Sequence, residues 1–128
     1  MSYKFELIKE RFDIEITQED GQKKGEFQID RNAGTIYGIS VTSNFEELLY
    51  YRGSQKIQIN DQELFPEGFE SKLLMSSLSV PPNQRVVKVG NIPAGNGKLE
   101  IWFKDGENDK GDFEPYTISF YVFSKPKS

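Results

Sequence analysis

Apolar residues recur at every second position along most of this chain, the period of a strand with one buried and one wet face. Segment 98–104 shows the pattern most cleanly. Leu99, Ile101 and Phe103 share one parity, while Lys98, Glu100, Trp102 and Lys104 share the other. Segment 116–123 repeats it with Tyr116, Ile118, Phe120 and Val122 on the better apolar face, leaving Tyr121 and Phe123 on the weaker one. Residues 56–59, Lys-Ile-Gln-Ile, alternate up to Asn60-Asp61, two residues that tolerate the left-handed backbone of a two-residue hairpin. A turn there sets Ile57 opposite Leu64 and pairs Gln58 with Glu63 on the wet face. Phe65-Pro66-Glu67-Gly68 then has the form of a type I turn, and 69–80 leaves it as a strand apolar on both parities at Leu73-Leu74-Met75.

The remaining elements follow in order. In 3–17, Phe5 and Leu7 share one parity but Phe12, Ile14 and Ile16 the other, which predicts a register change around Lys9-Glu10-Arg11. Residues 18–25 form a polar connection, and Phe27 and Ile29 mark a short return strand. Asp30 to Gly34 is a turn, and 35–42 is a strand with Tyr37, Ile39 and Val41 on one face. Ser43 and Glu46 have capping-box spacing, which predicts one helical turn before an extended segment. Residues 85–89 add another strand, and 105–112 form a polar loop. These segments predict a single domain over 1–128. They make an all-β, two-sheet antiparallel sandwich of jelly-roll or Greek-key type, with about eight or nine strands. An immunoglobulin-type sandwich fits less well, because the one Trp comes late and Cys is absent.

Composition narrows the chemistry more than the fold. The chain of 128 residues has no Cys and no His. Disulfides, thiolate nucleophiles, most structural zinc sites and Ser-His-Asp arrangements are therefore excluded. A net charge of -4 argues against a general nucleic-acid coat, which needs dense Lys and Arg. No stretch approaches the ~20 apolar residues of a membrane-spanning helix, and the charged first twenty residues do not form a signal peptide. The expected site of synthesis and residence is a cytoplasm.

Four features could carry function. The acidic loop from Asp105 to Asp112 has oxygen ligands suited to calcium. Its spacing fails as an EF-hand, with Lys110 where the turn glycine belongs and Tyr116 where the bidentate Glu belongs. Trp102, Tyr121 and Phe123 lie off the apolar faces of their strands. If those strands are neighbours, they form an exposed aromatic patch, suited to a protein partner or to stacking a sugar. Leu48-Leu49-Tyr50-Tyr51-Arg52 has the Tyr and Arg content of interface hot spots. The acidic pairs Glu46-Glu47 and Glu67 with Glu70 are sequence neighbours, not the cross-cleft carboxylates of a glycosidase. Solvated surface is the better account of them, and no catalytic, cofactor or metal residue is assigned.

A chain of this size without Cys or His, organised around the Ile-Asn-Asp-Gln-Glu-Leu-Phe-Pro hairpin, resembles small virion proteins of bacteriophages: single jelly-roll pentons, decorating proteins and minor capsid subunits. The resemblance covers architecture and no diagnostic motif. It implies a non-enzymatic structural or assembly subunit of a virion, made in the host cytoplasm and acting through self-association or contact with other structural proteins. Its interface candidates are Trp102, Tyr121, Phe123, Tyr50, Tyr51 and Arg52. The alternative expectation is a carbohydrate-binding β-sandwich that stacks a glycan on Trp102 with Tyr121 or Tyr116.

Overall fold

A computed structural model describes residues 7–71, 74–75, 87–106 and 112–127. Among the described residues, eight strands and one helix follow one another as β1 (Ile8–Ile16), β2 (Gln22–Gln28), β3 (Ala33–Ser43), α1 (Glu46–Arg52), β4 (Gly53–Ile59), β5 (Gln62–Glu70), β6 (Val87–Pro93), β7 (Lys98–Asp105) and β8 (Tyr116–Pro126). They form two antiparallel four-stranded sheets, β1-β8-β3-β6 and β2-β7-β4-β5. Successive strands alternate between the sheets except at the β4–β5 hairpin, and this interleaving of two Greek keys is the jelly roll.

The alternating residues make the core between the sheets. Ile14, Ile16, Ile36, Ile39, Val41, Ile118, Phe120 and Val122 face inward from one sheet. Ile57, Ile59, Phe65, Leu99, Ile101 and Phe103 face them from the other, and Leu48 and Leu49 of α1 close one end. At the opposite end the β4–β5 turn is built as its residues demand, with Asn60 at φ 51° and Asp61 at φ 63°. Gln58 pairs with Glu63, but Ile57 pairs with Phe65 instead of Leu64, because a register shift follows the turn.

Several local expectations give way to the sheet. β1 runs in unbroken register with β8 from Ile8 to Ile16, so no bulge occurs at Lys9-Glu10-Arg11. Its parity survives because Glu10 takes an inward position and accepts the Asp30 N–H with its carboxylate at 3.1 and 3.2 Å. β2 begins at Gln22, inside the segment expected to be a polar connection. The irregularity lies in β3, where a register shift between Ile36 and Gly38 puts Ile36 in the core with Ile39 and Val41. Tyr37 is not on their face.

Phe65-Pro66-Glu67-Gly68 is not a corner but part of β5. β5 is an edge strand, and a register shift between Gln55 and Ile57 leaves Pro66 out of the ladder, where its missing N–H costs nothing. Beyond it, Ser71 and Leu74 form a turn, with Leu74 N–H donating to Ser71 O at 2.8 Å. The strand expected over 69–80 is thus absent at its described positions after Glu70, and the rest of it lies outside the described residues. α1 also lacks a capping box. Ser43 Oγ accepts the Phe45 N–H at 3.1 Å and donates to Thr117 O at 2.8 Å, so it anchors the chain to β8 instead.

Candidate functional site

The end of the sandwich closed by α1 holds the most concentrated polar chemistry among the described residues. Arg52, last in α1, turns inward and meets Asp105, last in β7, through Nε and a terminal nitrogen, both at 2.9 Å. Tyr116, first in β8, donates its hydroxyl to the same carboxylate at 2.7 Å, and the Asp20 backbone N–H donates at 2.9 Å. Phe113 lies 5.5 Å from the guanidinium carbon, and Glu19 reaches the cation at 3.5 Å from the rim. Because Asp105 belongs to one sheet and Tyr116 to the other, this cluster joins the two sheets.

Burial would raise the Asp105 pKa, but donors from Arg52, Tyr116 and Asp20 outweigh it and hold the carboxyl below its usual range. Burial and the neighbouring carboxylate push the Tyr116 phenol well above its ordinary value. Arg52, Asp105 and Tyr116 each face a partner inside the fold, while the Glu19 carboxylate stands exposed at the rim. Arg52 is therefore no interface hot spot, and Tyr116 is no sugar platform. Asp105 is committed to the fold, while 107–111 of the acidic loop lie outside the described residues. No group of three or more carboxylates arranged to hold a metal ion occurs among the described residues.

The other interface candidates fall on three separate surfaces. On α1, burying Leu48, Leu49 and Arg52 turns the opposite side of this two-turn helix outward. Tyr50 and Tyr51 are 47% and 39% exposed and meet edge to face at 5.0 Å, and Phe45 at the N-cap is 41% exposed. These are the large apolar side chains most open to solvent among the described residues.

Trp102 occupies the centre of the outer face of β2-β7-β4-β5. Its register partners are Lys24 on β2 and Lys56 on β4, whose ammonium groups lie 4.9 and 5.0 Å from the ring centroid. The next register row is Gln22, Lys104 and Ser54, and together the two rows line a shallow groove of about 650 Å³. On the other side of Trp102 the face turns acidic. Lys24 reaches Glu26 and Glu100 at 2.9 Å each, and Lys98 reaches Glu100 at 3.7 Å. Hydrogen bonding from Lys24 lowers the Glu100 pKa.

Tyr121 and Phe123 lie on the outer face of the other sheet. β7 and β8 are therefore not neighbours, and Trp102 does not join these two in a single patch. Register places Lys9 beside Phe123 and Arg11 beside Tyr121 from β1. Arg11 stands 5.9 Å from the Tyr121 ring centre and also binds Asp13 at 2.9 Å. From the other side comes Tyr37, with Lys88 and Lys125 at 5.8 and 5.5 Å from its ring. Simple alternation assigned Tyr37 to the Ile39 face. The signal that could have moved it was Gly38, since glycine within a strand often marks a bulge.

No family model, curated protein or solved structure matches the chain significantly. No helix among the described residues is long and apolar enough to cross a membrane.

Proposed function

We propose that the protein is a non-catalytic structural subunit that works by associating with further copies of itself, as a capsid-associated component of a bacteriophage particle. One observation carries this reading: Tyr50 and Tyr51 are exposed and in ring contact on α1, and Phe45 at the N-cap of the same helix is exposed as well. Beneath them, Arg52, Asp105 and Tyr116 are closed on one another. Exposed, clustered tyrosines suit a protein contact, since each buries a large ring while its hydroxyl stays wet. The jelly roll supports the virion assignment by analogy, as a fold common to capsid domains, but lectins use it too.

Size-exclusion chromatography with light scattering tests the proposal. A discrete oligomer is expected, and Tyr50→Ser with Tyr51→Ser should convert it to monomer while leaving the thermal midpoint of the monomer unit in place. A protein that is monomeric at every accessible concentration overturns it.

The groove beside Trp102 favours a second reading, a carbohydrate-binding module. Against it, the Lys24 and Lys56 ammonium groups lie over the ring that a sugar would need, and Tyr121 and Tyr116 are elsewhere. A glycan array is expected to show no binding. Retention of a glycan that is lost in Trp102→Ala would replace the assembly reading with this one.

A further inference from the structure

The outer face of β1-β8-β3-β6 carries an arrangement that the chain's overall charge conceals. The net charge is -4, yet Lys9, Arg11, Lys88 and Lys125 converge here around three half-buried aromatic side chains. Strand register fixes the layout. One row runs Lys9, Phe123, Gly38, Lys88 across all four strands, and the next runs Arg11, Tyr121, Ser40. Tyr37, displaced outward by the β3 register shift, adds the third ring between Lys88 and Lys125. The described carboxylates on this face, Asp13 and Glu15, stand to one side of the rings, and Asp13 is held by Arg11 and by Ser119 Oγ at 2.7 Å. On the opposite sheet the lysines flanking Trp102 are themselves tied to acidic neighbours, Lys24 to Glu26 and Glu100 and Lys56 to Glu63.

We infer that this face binds single-stranded nucleic acid, with bases stacked on Tyr37, Tyr121 and Phe123 and phosphates held by the surrounding cations. Charge complementarity selects a polyanion, and the rings select one with flat, unpaired bases. A four-stranded sheet presenting two or three stackable aromatics is a general solution to binding unstacked bases. Tyr121 and Phe123, two residues apart on one strand, stand ~7 Å apart along it. The small residues Gly38 and Ser40 beside them leave the platform low on the β3 side. The contacts are to π faces and phosphates, so the binding tolerates many sequences. This surface is distinct from the α1 tip, and the inference does not depend on self-assembly.

Fluorescence anisotropy with labelled twelve-nucleotide oligo-dT and oligo-U tests it, with full-length protein and heparin as a polyanion that lacks bases. Binding of both strands is expected, with a preference for one separating DNA from RNA as the natural ligand. The affinity should fall with salt at a log–log slope of roughly -2 to -3, as about four neutralised phosphates require. Tyr121→Ala with Phe123→Ala should weaken binding at least about tenfold. Lys9→Gln with Lys88→Gln should reduce the salt slope by about one. Each variant's thermal midpoint confirms that it folds, and Tyr50→Ser with Tyr51→Ser, on the separate surface, should bind as the parent does. Failure to bind either strand at 50 mM salt overturns the inference. So does displacement by heparin as effective as by the oligonucleotide, or unchanged affinity in the Tyr121/Phe123 variant.

Discussion

Arg52 and Asp105 meet in a two-point ion pair, with side chains 1% and 0% exposed, 53 residues apart in sequence. A pair this deep binds each partner to the other more than it stabilises the fold, because both ions lost their hydration to get there. Asp105→Leu alone leaves an uncompensated buried guanidinium and should cost ~3–5 kcal/mol in urea denaturation. Adding Arg52→Met to it removes the stranded charge. The double variant should recover at least ~2 kcal/mol of that loss, even with the Tyr116 hydroxyl and Asp20 N–H deprived of their acceptor. Additive losses would show that the two do not act as a pair.

The same cluster sets limits on pH at both ends. Asp105 titrates below its ordinary 3.8 in the fold, so its contribution is full above that value and is lost as pH falls through the lower folded value. Tyr116 titrates above its ordinary 10.0, so its contribution is full below pH 10.0 and declines as pH rises beyond it. Urea midpoints measured from pH 7 to 11 should fall above pH 10.0 in the parent. Tyr116→Phe should be less stable at pH 7 by ~1–3 kcal/mol, having lost a hydrogen bond to a carboxylate, but should decline less steeply above pH 10.0. Equal slopes would exclude Tyr116 as the alkaline titrating group.

What was legible in the sequence was whatever a single strand or turn decides for itself. The alternation of Leu99, Ile101 and Phe103 and the Asn60-Asp61 turn needed no partner to be read. What escaped depended on pairing. Arg52 has the composition of an interface residue, and Asp105 opens a solvated-looking acidic loop; only the end-on packing of α1, β7 and β8 makes them a buried pair. Trp102 and Tyr121 share the weaker parity of their strands, but parity cannot say that β7 and β8 lie in opposite sheets. Pro66 argued for a corner because its tolerance at a sheet edge is a property of the sheet and not of the residue.

Gly53 is required for space. Its φ of -87° suits any residue, yet an added Cβ would lie 2.8 Å from the Leu49 carbonyl oxygen and 2.7 Å from Ser71 Oγ. It sits where α1 passes directly into β4, its N–H capping the helix on Leu49 O. Gly53→Ala should therefore destabilise by ~1–3 kcal/mol through overpacking against backbone that cannot yield. A neutral result in thermal denaturation would mean that the helix end shifts freely.

Asp61 is the opposite case, a position where glycine is missing. Both central turn residues hold positive φ, 51° at Asn60 and 63° at Asp61, and an L-residue with a Cβ pays ~1–2 kcal/mol for that region while Asn and Asp pay somewhat less. Asp61→Gly creates Asn-Gly, the preferred pair for this turn. Glycine also loosens the unfolded chain, which takes back ~0.4–1 kcal/mol. The net expectation is a gain of up to ~1 kcal/mol, or a rise of a few degrees in the thermal midpoint of a domain this size. The side chain of Asn60 packs against Gly95 across the same end of the sandwich, so the equivalent change at Asn60 should lose that contact and fail to stabilise. A drop in midpoint for Asp61→Gly would mean that the Asp61 side chain contributes more to the turn than its backbone conformation costs.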